Sequence, residues 1–243
     1  MRFACGGTDV RGDYIDFIAE YCDRWCERCA FTNRCSAYAV QIATEMCEGD
    51  LQAAIELAVG APPPRDDAEA RAREEFLEHV SNFEPTEAEL AEVKREEAER
   101  DDRIEESALA TRSEITSLLV HGWLEDHHEQ LAASPDAILV EALDVASRDA
   151  FFIHVKLLRA LDGRDRMMHG EEFEDHPVQN DWNGSAKVAL ISIVRSVEAW
   201  DVIARATGDP DARHIHVQLA QFQQDVEQHF PDAWKFIRPG FDG

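Results

Sequence analysis

The segment AFFIHVKLLRAL at residues 150–161 decides the fold, because apolar side chains occur on more than one face of the helix that it predicts. A helix of this kind is buried on several sides and belongs near the centre of a helical protein. The helix that contains this segment begins earlier, because Ser134-Pro135-Asp136 supplies a helix-start signal. The helix is therefore expected over residues 137–161, with a stop at Gly163.

Three further helices are predicted around this central one. A helix towards Leu131 carries an apolar face made of Ile104, Ala108, Ile115, Leu118, Leu119, Trp123 and Leu124. Another covers residues 185–206 and ends at Gly208, and Asp209-Pro210 begins a last helix that ends at Pro231. The tail at residues 234–241 is expected to pack back on these helices. With no convincing strand pair, the sequence predicts an all-α bundle of four or five helices.

The N-terminal part divides into a module and a spacer. Three consecutive prolines at residues 62–64 indicate a semi-rigid linker, so we expect a helical module over residues 1–60, a linker over 61–67 and the bundle with its tail over 68–243. Beyond the linker, Thr86 and Glu89 form a capping box before a highly charged helix. That charged run is interpreted as a solvated face, with an acidic docking surface as the alternative.

A cysteine cluster carries the most specific chemistry in the chain. Four of the six cysteines follow the pattern C-x3-C-x2-C-x5-C, at Cys22, Cys26, Cys29 and Cys35. Helical spacing predicts the first three on one face, and the turn-like Thr32-Asn33-Arg34 lets the fourth fold back. Four thiolates suit either Zn²⁺ or a [4Fe–4S] cluster. Buried reduced thiols and local disulfides are the alternatives, and Cys5 and Cys47 are either spare ligands or small core residues.

The segment from Cys26 to Cys35 resembles the C-x2-C-x5-C end of the iron–sulfur loop in endonuclease III-type DNA glycosylases and related iron–sulfur nucleases. The resemblance covers ten residues and implies that Cys26, Cys29 and Cys35 are cluster ligands. Cys22 departs from that spacing, since the glycosylases place their first cysteine farther upstream. The resemblance favours [4Fe–4S] over zinc. The first three cysteines also resemble the radical-SAM pattern, but Arg28 stands where that family usually has an aromatic residue.

The charge of the chain limits its partners. Fifty acidic residues against twenty-four basic ones give a formal charge of −26, which opposes binding to nucleic acids and to anionic membranes. The apolar runs are too short to cross a bilayer, and the first residues lack the apolar core of a signal sequence. These features predict a cytoplasmic protein whose thiols are reduced and whose partners are proteins.

Two catalytic alternatives remain open. A ferritin-like di-iron site would use Glu-x-x-His and Asp-x-x-His pairs with two more carboxylates, namely Glu125, His128, Asp211, His214, Glu141 and Glu198. Arg148, Asp149 and His154 resemble the Arg-polar-x4-His motif of helical HEPN ribonucleases, although a hydrogen-bonded structural histidine is the favoured interpretation of His154. The acidic segment at residues 162–183 is interpreted as a mobile loop, with a weak cation site or a lid as alternatives. The leading hypothesis is a metal-binding helical protein that serves as an interaction or redox scaffold.

Overall fold

The computed structural model describes residues 13–60, 67–81, 85–170 and 176–242. Throughout these residues the secondary structure is helical and contains no strand, which confirms the all-α prediction. The chain forms two compact units, one from residues 1–19 and 24–97 and the other from residues 20–23 and 98–243. The predicted linker at residues 61–67 lies outside the described residues, except for Asp67.

The first unit contains a hairpin of two short helices, α1 (Ser36–Met46) and α2 (Leu51–Val59). Gly49 between them has a φ of 89°, a left-handed conformation that glycine adopts without strain. Asp50 then caps α2 by accepting a hydrogen bond from the Ala53 amide at 3.0 Å. The two helices meet through small side chains, which allow their backbones to approach closely; Ala43, Ala54 and Ala58 are buried there.

Two charged helices follow, α3 (Asp67–Ser81) and α4 (Glu87–Glu105). The predicted capping box at the start of α4 is confirmed, because the Glu89 amide donates to Thr86 Oγ1 at 3.2 Å while Thr86 N donates to Glu89 Oε2 at 2.8 Å. Within the second unit, the end of α4 is held by two ion pairs to the following bundle, Arg100–Asp162 at 3.1 Å and Arg103–Asp165 at 2.6 Å.

The second unit is a four-helix bundle. Its helices are α5 (Ala108–Ala132), α6 (Ala137–Met168), α7 (Asp181–Thr207) and α8 (Pro210–His229). Helix α5 contacts α6 and α8, and α7 contacts the same two helices, so the four form a closed ring around one core. The largest fully buried apolar side chains are Trp200, Phe222, Leu143, Leu157, Leu190, Ile193, Ile203 and Leu219. No helix within the described ranges combines the length and apolarity needed to cross a membrane.

Helix α6 is longer than the sequence predicts. The predicted stop at Gly163 is wrong, because the helix continues to Met168 and Gly163 is buried inside it. A Cβ at position 163 would lie 3.5 Å from the Cβ of Trp182, so this part of α6 faces the start of α7. Asn180 caps α7 by accepting from the Asn183 amide at 2.9 Å, and α7 therefore begins before the predicted Ser185. The predicted loop over 162–183 shrinks to residues 169–180, of which 171–175 lie outside the described part.

The predicted apolar face of α5 is also partly wrong. Ile115, Leu118 and Leu119 are 52%, 57% and 42% exposed, whereas Ser113, Thr116 and Ser117 are buried. The small hydroxyl side chains can be buried because they satisfy their own hydrogen bonds on the helix. Ser113 Oγ donates to the carbonyl of Ala110 at 2.7 Å, and Thr116 Oγ1 donates to that of Arg112 at 2.8 Å.

The segment at residues 20–23 and the C-terminal tail both pack on the bundle. The rings of Tyr21 and Phe236 are in contact, with centroids 4.7 Å apart and planes tilted by 55°, and Phe236 is 2% exposed. Lys187 Nζ donates to the carbonyl of Phe236 at 2.5 Å and pairs with Asp242 at 2.7 Å. The tail is therefore part of this unit's core.

Replacing Gly184 by Ala is expected to loosen this packing. A Cβ there would lie 2.4 Å from Cε1 of Tyr21 and 2.8 Å from Cζ of Phe236, so both rings would have to move. We expect a loss of about 1–3 kcal/mol in the free energy of unfolding, as for other overpacked cores. Urea denaturation followed by circular dichroism measures the change. Gly122→Ala is the matched control, since a Cβ at Gly122 meets no atom within 4 Å; an equal effect of the two substitutions would contradict this account.

Candidate metal centre

The cysteine segment is built from turns and not from the helix that its spacing predicts. Residues 13–35 contain two short 3₁₀ helices, Cys26–Arg28 and Thr32–Arg34, and no α-helix. Arg24, between the first two cysteines, has a φ of 59°, which reverses the chain direction locally and is incompatible with a continuous α-helix. The prediction that Cys22, Cys26 and Cys29 share one helical face is therefore wrong.

Cys26 and Cys29 are joined by a tight turn. The Cys29 amide donates to the Cys26 carbonyl at 3.2 Å, which closes the first 3₁₀ helix between them. The Phe31 amide then donates to Cys29 Sγ at 3.4 Å. Hydrogen bonds to cysteine sulfur are among the features by which a protein tunes an iron–sulfur cluster.

Cys35 lies at the junction between the second 3₁₀ helix and α1. Its amide donates to the Thr32 carbonyl at 3.4 Å, and its own carbonyl accepts from Ala39 at 3.0 Å as α1 begins. The neighbouring Arg34 is fixed as well, because its carbonyl accepts from the Ile15 amide at 3.0 Å and its Nε donates to the Asp13 carbonyl at 3.0 Å. The end of the cysteine segment is thus anchored to its beginning within the first unit.

Cys22 belongs to the short segment that packs on the bundle. Its neighbours are fixed on both sides: Lys156 Nζ donates to the Glu20 carbonyl at 2.8 Å, and Arg195 Nη1 donates to Asp23 Oδ2 at 2.6 Å. Tyr21 donates to Asp181 at 3.1 Å, and burial together with that carboxylate raises the pKa of Tyr21 to about 12. The tyrosine therefore remains a neutral hydrogen-bond donor at physiological pH.

The five cysteines that the structure describes are partly exposed, and none of these five is in a disulfide. Among residues 13–60, 67–81, 85–170 and 176–242, no three His, Cys, Asp or Glu side chains are gathered closely enough to hold a metal ion. Cys47 packs against the alanines between α1 and α2, as expected of a small core residue. Cys5 lies outside the described residues. A shared metal centre would therefore require the cysteine sulfurs to come closer together.

A second polar constellation, which the sequence did not reveal, lies inside the bundle. Asp149 is 1% exposed and forms a bidentate ion pair with Arg195, with Nε–Oδ2 at 3.0 Å, while Ser196 Oγ donates to the same carboxylate at 3.1 Å. Burial raises the pKa of Asp149, and the Arg195 and Ser196 hydrogen bonds oppose that rise. A cavity of about 10 Å³ next to this carboxylate is lined by Ser113, Thr116 and Ser117 together with mostly apolar residues. It has room for about one water molecule.

This constellation does not support the ribonuclease alternative. The Asp149 carboxylate is engaged by Arg195 and Ser196, and His154 Nδ1 lies 2.7 Å from Ser113 Oγ. The histidine is therefore hydrogen-bonded within the bundle, as its structural interpretation predicts. The signal that could have revealed the network was an ionisable residue at an inward-facing position on each of two apolar helices, Asp149 on α6 and Arg195 on α7.

The six candidate ligands of the di-iron alternative do not point into the core of the bundle. Such sites need carboxylates and histidines that project into the bundle core. The six candidates are instead exposed on the outer faces of their helices, at Glu125, His128, Glu141, Glu198, Asp211 and His214.

Comparison with known proteins identifies no relative of this chain. No family model matches this chain, and no curated protein or solved structure matches it either.

Proposed function

We propose that Cys22, Cys26, Cys29 and Cys35 bind one metal centre, and that the protein is an interaction or redox scaffold and not an enzyme. The observation that carries the proposal is the Cys26–Cys29 turn, in which the Phe31 amide donates to Cys29 Sγ. This turn holds two cysteines three residues apart in the chain, and the sulfur of one of them accepts a backbone hydrogen bond. Cys22 enters the proposal from its place in the sequence pattern alone.

The surroundings of the turn favour a metal over a loose group of thiols. Trp25, just before Cys26, is 8% exposed, and the Arg28 guanidinium lies 4.0 Å from the centre of its ring. This packing covers one side of the turn with an apolar ring and brings a positive charge near the cysteines. A positive charge offsets the negative charge that thiolates bring to a metal.

Metal binding would be coupled to local folding. The segment from Cys22 to Cys35 consists of turns and two three-residue 3₁₀ helices, which few backbone hydrogen bonds stabilise. A metal that gathers the sulfurs would add its binding free energy to the stability of this segment. We favour [4Fe–4S] because of the C-x2-C-x5-C resemblance, and Zn²⁺ is the other metal that four thiolates suit.

The net charge supports the scaffold role. A net charge of −26 disfavours nucleic acid partners, so we infer that the partners are proteins. A reducing cytoplasm is the compartment that suits partly exposed thiols without disulfides.

Replacing Cys29 by Ser is expected to remove most of the metal. The full chain is purified without oxygen, and iron, acid-labile sulfide and zinc are counted per chain. About four irons with about four sulfides indicate the cluster, and about one zinc indicates the zinc site. We expect Cys29→Ser to lose this metal because it removes a thiolate ligand, and its thermal unfolding should then occur at lower temperature.

Cys47→Ser is the matched control, since Cys47 is partly exposed like Cys29 but packs between α1 and α2. It should keep the wild-type metal content. Full metal content and unchanged melting in Cys29→Ser would refute the proposed centre, and so would a wild-type chain that contains no iron or zinc.

A further inference from the structure

A groove runs between α5 and α8 in the bundle. Its volume is about 380 Å³, its floor is formed by the buried Trp123 and Ile215, and Leu118 and Leu119 form an apolar wall. Two carboxylates, Asp126 and Asp211, stand among its lining residues. The groove therefore combines an apolar interior with acidic edges.

The apolar wall belongs to a larger exposed apolar patch on α5 that also includes Ile115. Ile115, Leu118 and Leu119 follow the i, i+3, i+4 spacing of one helix face, and all three are 42–57% exposed. Adjacent exposed apolar side chains of this size mark an interaction site more often than isolated ones do. The bundle's own core does not need this face, because the buried face of α5 is the one that carries Ser113, Thr116 and Ser117.

A hydrogen bond ties the two helices of the groove together, and a ring contact orders the side chains on α5. Trp123 Nε1 donates to Asp209 Oδ2 at 2.7 Å, which ties α5 to the start of α8, and the His127 ring stacks on Trp123 at 4.3 Å. Hydrogen bonding from Trp123 lowers the pKa of Asp209, so the Asp209 carboxylate that accepts this bond is ionised at neutral pH. A preformed groove binds a partner at a small cost in ordering its own side chains.

The charge around the groove selects the partner. On α5, from Ser113 to Ala132, the chain contains no Lys or Arg and four acidic residues, namely Glu114, Glu125, Asp126 and Glu129. Arg213 is the basic residue on the nearby turn of α8. A second copy of this chain would bring another −26 charges to the same surface, so charge disfavours self-association.

We propose that this groove binds the apolar face of a basic amphipathic helix from a partner protein. The lining residues of α5 run from Leu118 to His127. At about 1.5 Å per residue they span roughly 13 Å, or about two and a half turns of a facing helix. A helix of that length presents apolar anchors at i, i+3 or i+4 and i+7 to a groove, and lysines beside those anchors would meet the acidic edges.

The test uses the full chain and labelled synthetic peptides of about 18 residues, or roughly five helical turns. One peptide has a leucine face and a lysine face, a second keeps the leucine face but replaces the lysines by glutamates, and a third scrambles the first. Fluorescence anisotropy measures their binding. We expect the leucine–lysine peptide to bind at least about tenfold more tightly than either of the others.

Two protein variants separate groove binding from general attraction between opposite charges. Leu118→Glu and Ile138→Glu each add one negative charge at a position that is well exposed, 57% and 69% respectively, so neither should unfold the bundle. We expect Leu118→Glu to weaken the leucine–lysine peptide at least about tenfold and Ile138→Glu to leave it unchanged. Equal binding by both variants, or by the scrambled peptide, would overturn the proposal. A wild-type dimer in sedimentation experiments that Leu118→Glu dissociates would also overturn it, because a second copy would then be the occupant.

Discussion

Replacing Arg195 by Ala is expected to destabilise the bundle by about 3–5 kcal/mol, because it leaves a buried carboxylate without its charge partner. Asp149 is 1% exposed, and Arg195 supplies two of its hydrogen bonds. The same guanidinium also binds Asp23 at 2.6 Å, so the substitution removes one of the contacts between the segment at residues 20–23 and α7 as well. Urea denaturation at neutral pH, followed by circular dichroism, measures the loss.

Arg205→Ala is the matched control for this substitution. Arg205 lies on the same helix and pairs with Asp201 at 2.8 Å, but its side chain is 80% exposed. An exposed i, i+4 pair of this kind contributes about 0.3–0.5 kcal/mol. Replacing both members of the buried pair, as in Asp149→Leu with Arg195→Met, should recover most of the stability, since an apolar pair of similar volume leaves no charge unpaired. Equal effects of Arg195→Ala and Arg205→Ala would show that the buried pair is not needed for stability.

Replacing Leu157 by Ala is expected to cost about 2–5 kcal/mol, the range for removing a fully buried leucine from a rigid core. Leu157 is 0% exposed and packs in the cluster that contains Leu190, Ile193 and Phe222. Neighbours on three other helices cannot close the space completely, so a cavity remains after the substitution. The same denaturation experiment gives the change in the free energy of unfolding.

Val155→Ala tests whether the loss of stability in Leu157→Ala depends on the burial of the side chain or only on its apolar character. Val155 lies two residues away in the same apolar segment, but it is 59% exposed. We expect a change within about 0.5 kcal/mol, as for most surface substitutions. A cost for Val155→Ala that matches that of Leu157→Ala would mean that the inward face of α6 has been assigned incorrectly.

The features that could be predicted from the sequence are those decided within one or two helical turns. Thr86 and Glu89 cap α4, Asp136 caps α6 and Asp209 caps α8, each through hydrogen bonds to amides no more than three residues away. These signals need no distant partner, and they located most helix starts. The apolar segments between them were sufficient to predict an all-α bundle.

The face that each helix buries depended on the neighbouring helices. On α5 the apolar spacing pointed to Ile115, Leu118 and Leu119, yet the buried residues include Ser113, Thr116 and Ser117. Short hydroxyl side chains allow closer helix packing and can bond to their own helix, so a polar residue type did not imply exposure. Gly163 likewise ends a helix in many sequences, but here it is buried inside α6 and faces Trp182.

The candidate sites also combine features that the sequence determines with features that depend on long-range contacts. The sequence by itself determined the spacing of Cys22, Cys26, Cys29 and Cys35 and the chemistry that four thiols allow, because both depend on residue type and order. Only the tertiary structure decided that turns hold these cysteines, that Arg195 meets Asp149 across two helices, and that α5 and α8 leave an apolar groove. Each of these outcomes depends on contacts between residues far apart in the chain, or on a backbone conformation such as the positive φ of Arg24, which side-chain periodicity does not encode.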